Sequence, residues 1–82
     1  MSSGKRALYL IFPQELIREP VIYRLCKKFD VAFSIRRAKV TEKVGEMVLE
    51  FTGKEAVIEK AVSWLKKKGI RVEPVTRDAV ES

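Results

Sequence analysis

The strongest constraint in this chain is the alternation that runs from Phe29 to Phe51. Val31, Phe33 and Ile35 are separated by small or polar residues, and Met47, Leu49 and Phe51 repeat the pattern against Glu46, Val48 and Glu50. A period of two belongs to a strand buried on one face. The segment Thr41 to Gly45 joins the two runs, and Gly45 is expected to supply a positive φ, so the stretch is predicted to be a β-hairpin. The remaining segments then read as cover for one face of that hairpin.

Ala7 to Phe12 is predicted to be a strand with both faces apolar, Leu8, Leu10 and Phe12 on one and Ala7, Tyr9 and Ile11 on the other. That pattern suits a central strand. Pro13 ends it, and Gln14 to Glu19 connect onward with room for a turn of helix. Pro20 fits the first position of a helix whose apolar stripe is Val21, Ile22, Leu25, Cys26 and Phe29. Thr52-Gly53-Lys54-Glu55 has the form of a capping box ahead of a helix over 54–68. Val57, Ile58, Ala61, Val62 and Leu65 share one side of that helix, Trp64 flanks them, and Gly69 suits the left-handed position past its end. Ile70 to Val75 is a last strand, where Pro74 is tolerated at a sheet edge.

The order β-α-β-β-α-β predicts an α+β fold of the ferredoxin-like kind: a four-stranded antiparallel sheet, order 4-1-3-2, with both helices on one face. One domain is expected over 6–75, with flexible tails at 1–5 and 76–82. The uncovered face is expected to carry Tyr9, Ile11, Ala32, Ser34, Arg36, Ala38 and Val48, with Glu46 and Glu50. It lies beside an exposed edge strand, Val31 to Val40, and Tyr9, Ile11, Ala32, Ala38 and Val48 are the candidate interface residues.

Size and charge narrow the function. A chain of 82 residues buries only roughly 60–65% of its unfolded surface, so association with a partner or a second copy is expected. No apolar run nears the ~20 residues of a membrane span, no signal peptide opens the chain, and the lone Cys26 has no disulfide partner. A cytoplasmic protein without membrane insertion is expected. The net charge of +6 is spread over nearly every element, which reads as a solvated basic exterior more than a nucleic-acid stripe.

Catalysis is not expected. The chain has no His, its one Cys lies on an apolar helix stripe, and no carboxylates cluster in apolar surroundings, so neither a metal site nor a cofactor is anticipated. RNA recognition through this topology needs aromatics on the first and third strands. The first offers Tyr9, but the third offers Glu46, Val48 and Glu50, so nucleic acid is not the expected partner.

The landmarks Leu8-Tyr9-Leu10-Ile11-Phe12-Pro13, Glu19-Pro20-Val21-Ile22, Phe29-Asp30-Val31, Ser34-Ile35-Arg36-Arg37-Ala38, Gly45-Glu46-Met47-Val48-Leu49-Glu50 and Trp64-Leu65 ahead of Gly69-Ile70-Arg71-Val72-Glu73 resemble, in order and spacing, the NIL domain. That family is named after an Asn-Ile-Leu motif on its second strand; here the motif reads Ser34-Ile35-Arg36, and only Ile35 matches. The resemblance implies a ferredoxin-like fold. It also implies a regulatory module that binds methionine across a domain pair, since family members sit at the C-terminus of methionine-importer ATPases. Others precede iron–sulfur ferredoxin domains or stand alone, so a transporter or a redox protein is the implied partner. This chain, without an ATPase motif or cysteine cluster, resembles the stand-alone kind.

On that basis Ser34, Ile35, Arg36, Gly45 and Met47 are the candidate ligand residues of a homodimer joined through second strands. Arg36 is suited to a ligand carboxylate, and Met47 to an apolar slot. The alternative is an assembly module that docks on another protein through Tyr9, Ile11 and Val48 and binds no metabolite.

Overall fold

Both faces of the first strand are apolar, and the sheet is built around it. In the computed structural model, which describes residues 3–75, that strand is β1 (Ser3–Phe12), and it lies between β3 (Gly45–Lys54) and β4 (Arg71–Pro74). The edge strand β2 (Ala32–Val40) completes the antiparallel order β2-β3-β1-β4, the ferredoxin-like arrangement. Two helices, α1 (Val21–Lys28) and α2 (Glu55–Lys67), make the crossovers. A 3₁₀ turn, Gln14–Leu16, fills the connection after Pro13. No helix among the described residues is long and apolar enough to cross a membrane.

The first strand starts at Ser3, earlier than the apolar pattern suggests, because Ser3, Gly4 and Lys5 pair with Lys54, Gly53 and Thr52. The tail expected over 1–5 is therefore partly strand, and the one expected over 76–82 lies outside the described residues. That same pairing undoes the capping box. Thr52 is held in the ladder between Lys5 and Ala32, β3 runs on through Lys54, and no side chain caps α2. Pro20 precedes α1 as its cap, and its carbonyl accepts from the Arg24 amide at 3.1 Å.

Other local signals hold. Gly69 has φ 99, and the amides of Gly69 and Ile70 donate to the carbonyls of Lys66 and Leu65 at 3.0 and 3.1 Å, a Schellman closure of α2. Pro74 lies on β4, which pairs with β1 alone and is an edge. The core lies between sheet and helices: Leu8, Leu10 and Phe12 of β1 and Leu49 and Phe51 of β3 meet Val21 and Leu25 of α1 and Ile58, Ala61 and Leu65 of α2. Phe29 closes one end against Trp64, edge to face with ring centroids 6.3 Å apart.

Two expectations for the hairpin fail. Gly45 does not turn the chain, since Gly69 is the one described glycine with positive φ. The loop is closed by Thr41 instead: its amide donates to the Val44 carbonyl at 2.7 Å, and its Oγ1 accepts from the amides of Lys43 and Val44 at 3.2 and 2.9 Å. Nor do Phe33 and Ile35 enter the core. They remain 37% and 55% exposed, because β2 is the edge strand and α2 packs on β3, β4 and β1.

Candidate ligand site on the open face

The site begins with an irregularity in the edge strand. Ser34 pairs with Glu50 and Ile35 with Leu49, but the next pair is Arg37 with Val48, so Arg36 is an extra residue in a β-bulge. Its effect is to change the phase of the strand. Before the bulge Phe33 and Ile35 oppose the core residues Phe51 and Leu49; after it Ala38 and Val40 oppose Met47 and Gly45 on that same side. Ser34, Arg37 and Lys39 oppose Glu50, Val48 and Glu46 on the other, helix-free side. Strict alternation had put Ala38 on the open face with Ala32; the bulge moves it to the helix side.

On the open face the strands enclose a depression of about 530 Å³. Arg36, Arg37 and Lys39 of β2 form one wall, while Glu46 and Val48 of β3 and Tyr9 of β1 form the floor. Glu73, Pro74 and Val75 close the far side. Cations thus face carboxylates across a floor with an apolar patch at Val48. Arg36 Nη1 lies 3.7 Å from Glu50 Oε1, and Arg71 Nε lies 2.8 Å from Glu73 Oε2, so both rims carry ion pairs. Tyr9 donates a hydrogen bond to the Glu46 carboxylate, which raises its phenol above the ordinary 10.0; burial and the negative charge of Glu46 and Glu73 add to the rise. The lone thiol, Cys26, is half-buried on α1, and burial raises its pKa as well.

The five candidate ligand residues are distributed over both sides of the sheet. Arg36 lines the depression and Met47 borders it from the core side, whereas Ser34 and Ile35 line neither it nor the hollow on the helix side. Gly45 is buried against Phe12 and Ile17, in the wall of a second hollow of about 220 Å³ on the helix side. Of the expected interface residues, Tyr9 and Val48 are in the depression, Ala38 borders it beside Met47, and Ile11 and Ala32 belong by register to the open face. Arg37, Lys39, Glu46 and Glu73 were not among the expected ligand residues, yet they form most of its charged lining. The adjacent Arg36 and Arg37 carried the missing signal, since two neighbouring charges interrupt an alternation that a bulge resumes. Among the described residues, no group of three or more His, Cys, Asp and Glu is placed to hold a metal ion.

Comparison with known proteins adds three findings. The sequence profile of the NIL domain matches residues 6–74. The methionine import ATP-binding protein MetN 2 of Acinetobacter baylyi is 32% identical over 59 residues, which are 67% of this chain and 17% of that protein. The methionine import ATP-binding protein MetN of Helicobacter hepaticus is 31% identical over 68 residues, 78% of this chain and 19% of the relative. The chain thus spans less than a fifth of the length of these relatives. Among solved structures, the C-terminal domain of an ABC transporter ATP-binding protein from Enterococcus faecalis superposes with a TM-score of 0.76 at 22% identity, over 88% of this chain and 84% of that one. That likeness concerns the fold.

Proposed function

The chain belongs to the NIL domain family, and from that membership we propose that it is a small regulatory module that binds a free amino acid, methionine first among the candidates, on the open face of its sheet. The observation that carries this reading is the pairing of unlike charges across one depression. Arg37 and Lys39 offer a carboxylate two cations, Glu46 and Glu73 offer an ammonium two anions, and Val48, Pro74 and Val75 offer an unbranched side chain an apolar bed. The names of the relatives, methionine importers, support methionine and a transporter partner over a redox one. No step of this reading needs a cofactor or a catalytic group.

The unpaired edge of β2 forms one wall of the depression. In this reading two copies join through their β2 edges, so each wall is completed by the other's basic residues and the ligand lies at the seam. The setting is the cytoplasm, where a sensor meets the imported amino acid.

Calorimetric titration with L-methionine, after light scattering to fix the oligomeric state, tests it. Saturable heat from a dimer is expected, with Arg37→Ala weakening affinity about tenfold or more, the loss of one charge-assisted contact. Absence of heat from methionine and from a panel of other amino acids would sink the proposal.

A further inference from the structure

We propose that the helix side of β2 is a docking trough for an amphipathic, acid-flanked helix of another protein. The site lies on the opposite side of the sheet from the depression and does not depend on it.

The large apolar side chains left exposed among the described residues are Tyr23, Phe33, Ile35, Val40 and Val44. All belong to α1, β2 or the loop after β2. The bulge makes a stripe of them, since it keeps Phe33 and Ile35, then Ala38 and Val40, on the side of the core pairs. The stripe continues into the hollow of about 220 Å³, whose walls include Ile17, Pro20, Ile22, Tyr23 and Met47. Its one charged lining residue, Glu19, is engaged by Arg24 with Oε1 3.5 Å from Nη1.

The vacancy has the dimensions of a helix. With 8 residues α1 is about 12 Å long, whereas the 9-residue β2 runs about 30 Å, so α1 is too short to roof more than half of that length. Packed helices lie about 8–10 Å apart, so a helix set beside α1 would lie over the edge strand. A third helix laid along β2 would complete the layer and cover Phe33, Ile35 and Val40. A strand paired to the β2 edge would leave that layer as open as before.

The charge around the trough selects an acidic partner. Arg18, Arg24, Lys27 and Lys28 are exposed on or beside α1, and Lys27 Nζ lies 5.4 Å from the Tyr23 ring centroid. Among the described residues no lysine takes part in an ion pair. Asp and Glu flanking the apolar face of a docked helix would meet these lysines.

A display selection tests the proposal, with a library of helical peptides whose apolar face is fixed at i, i+3, i+4 and i+7 and whose flanks are randomised. Clones are expected to enrich on the protein with Asp and Glu in the flanks. The corresponding synthetic peptides, followed by fluorescence anisotropy, are expected to bind Tyr23→Lys and Val40→Lys at least about tenfold more weakly. Both positions are exposed, and melting curves establish that the variants fold. Failure of any clone to enrich, basic or neutral flanks, or equal binding to both variants overturns the proposal. So does concentration-dependent self-association that Tyr23→Lys, away from the β2 edge, abolishes, which would assign the trough to a second copy. Methionine titration of Tyr23→Lys separates this result from the fate of the open-face site.

Discussion

Arg36 faces no residue of β3, and its guanidinium reaches Glu50, which is paired with Ser34, at 3.7 Å. The extra residue carries its charge to the open face and shifts the remainder of the strand by one position. Every charged residue of β2 thereby avoids the side of the core.

Deleting Arg36 should therefore be tolerated. The pairs on either side of the bulge would close into one regular ladder, with Ala38 still opposite Met47. The ion pair lost is exposed, with 58% of the Arg36 side chain accessible, so a cost under about 1 kcal/mol is expected. Retained cross-strand contacts between Ala38 and Met47 in NMR spectra check the register. Their disappearance would show that the bulge is needed to hold it.

The two phenylalanines facing each other across β2 and β3 should behave differently. Phe51 is fully buried and Phe33 is 37% exposed. Phe51→Ala is expected to cost about 3–5 kcal/mol. Phe33→Ala should cost well under half as much in urea unfolding, and similar losses from the two would contradict the exposed edge.

Gly45→Ala probes close packing. An added Cβ would lie 3.1 Å from Ile17 Cγ1 and 3.2 Å from Phe12 Cβ, and the latter is fixed to the central strand. Overpacking of about 1–3 kcal/mol is expected. Gly69→Ala has open space around it but a φ of 99, so its expected loss of about 1–2 kcal/mol comes from the backbone. Denaturation midpoints of the two variants measure both effects.

Tyr9 gives a pH signature. Its hydrogen bond to Glu46 favours the protonated phenol in the folded chain and raises its pKa above 10.0. The associated stabilisation is complete below the unfolded value of 10.0 and is lost as pH rises through the higher folded value. Thermal melts above pH 10 should therefore fall more steeply for the wild type than for Tyr9→Phe. In a Tyr23→Phe background, ultraviolet titration of the remaining phenol should shift downward on Glu46→Ala. An unchanged titration would remove Glu46 as the cause.

Much of the fold was legible in the residues. Leu8, Leu10 and Phe12 beside Ala7, Tyr9 and Ile11 marked a central strand, and the stripes of the two helices marked their core faces. Gly69 marked the end of α2. Each of these signals is written in a few consecutive residues, because periodicity and backbone preference act locally. The site was less legible. Arg36 and Met47 were placed at or beside the depression, but Arg37, Lys39, Glu46 and Glu73 are brought together by strands from separate parts of the chain.

By itself, then, the sequence determined the order of elements, the central place of β1 and which helix faces are apolar. Tertiary structure decided the phase of β2 beyond Ile35, the exposure of Phe33 and Ile35, the burial of Gly45 and the commitment of Thr52 to a ladder. Register is a property of two strands, and cover is a property of how far the neighbouring layer extends. Alternation fixes relative faces only while the ladder is regular, and one additional residue at Arg36 is enough to reverse them.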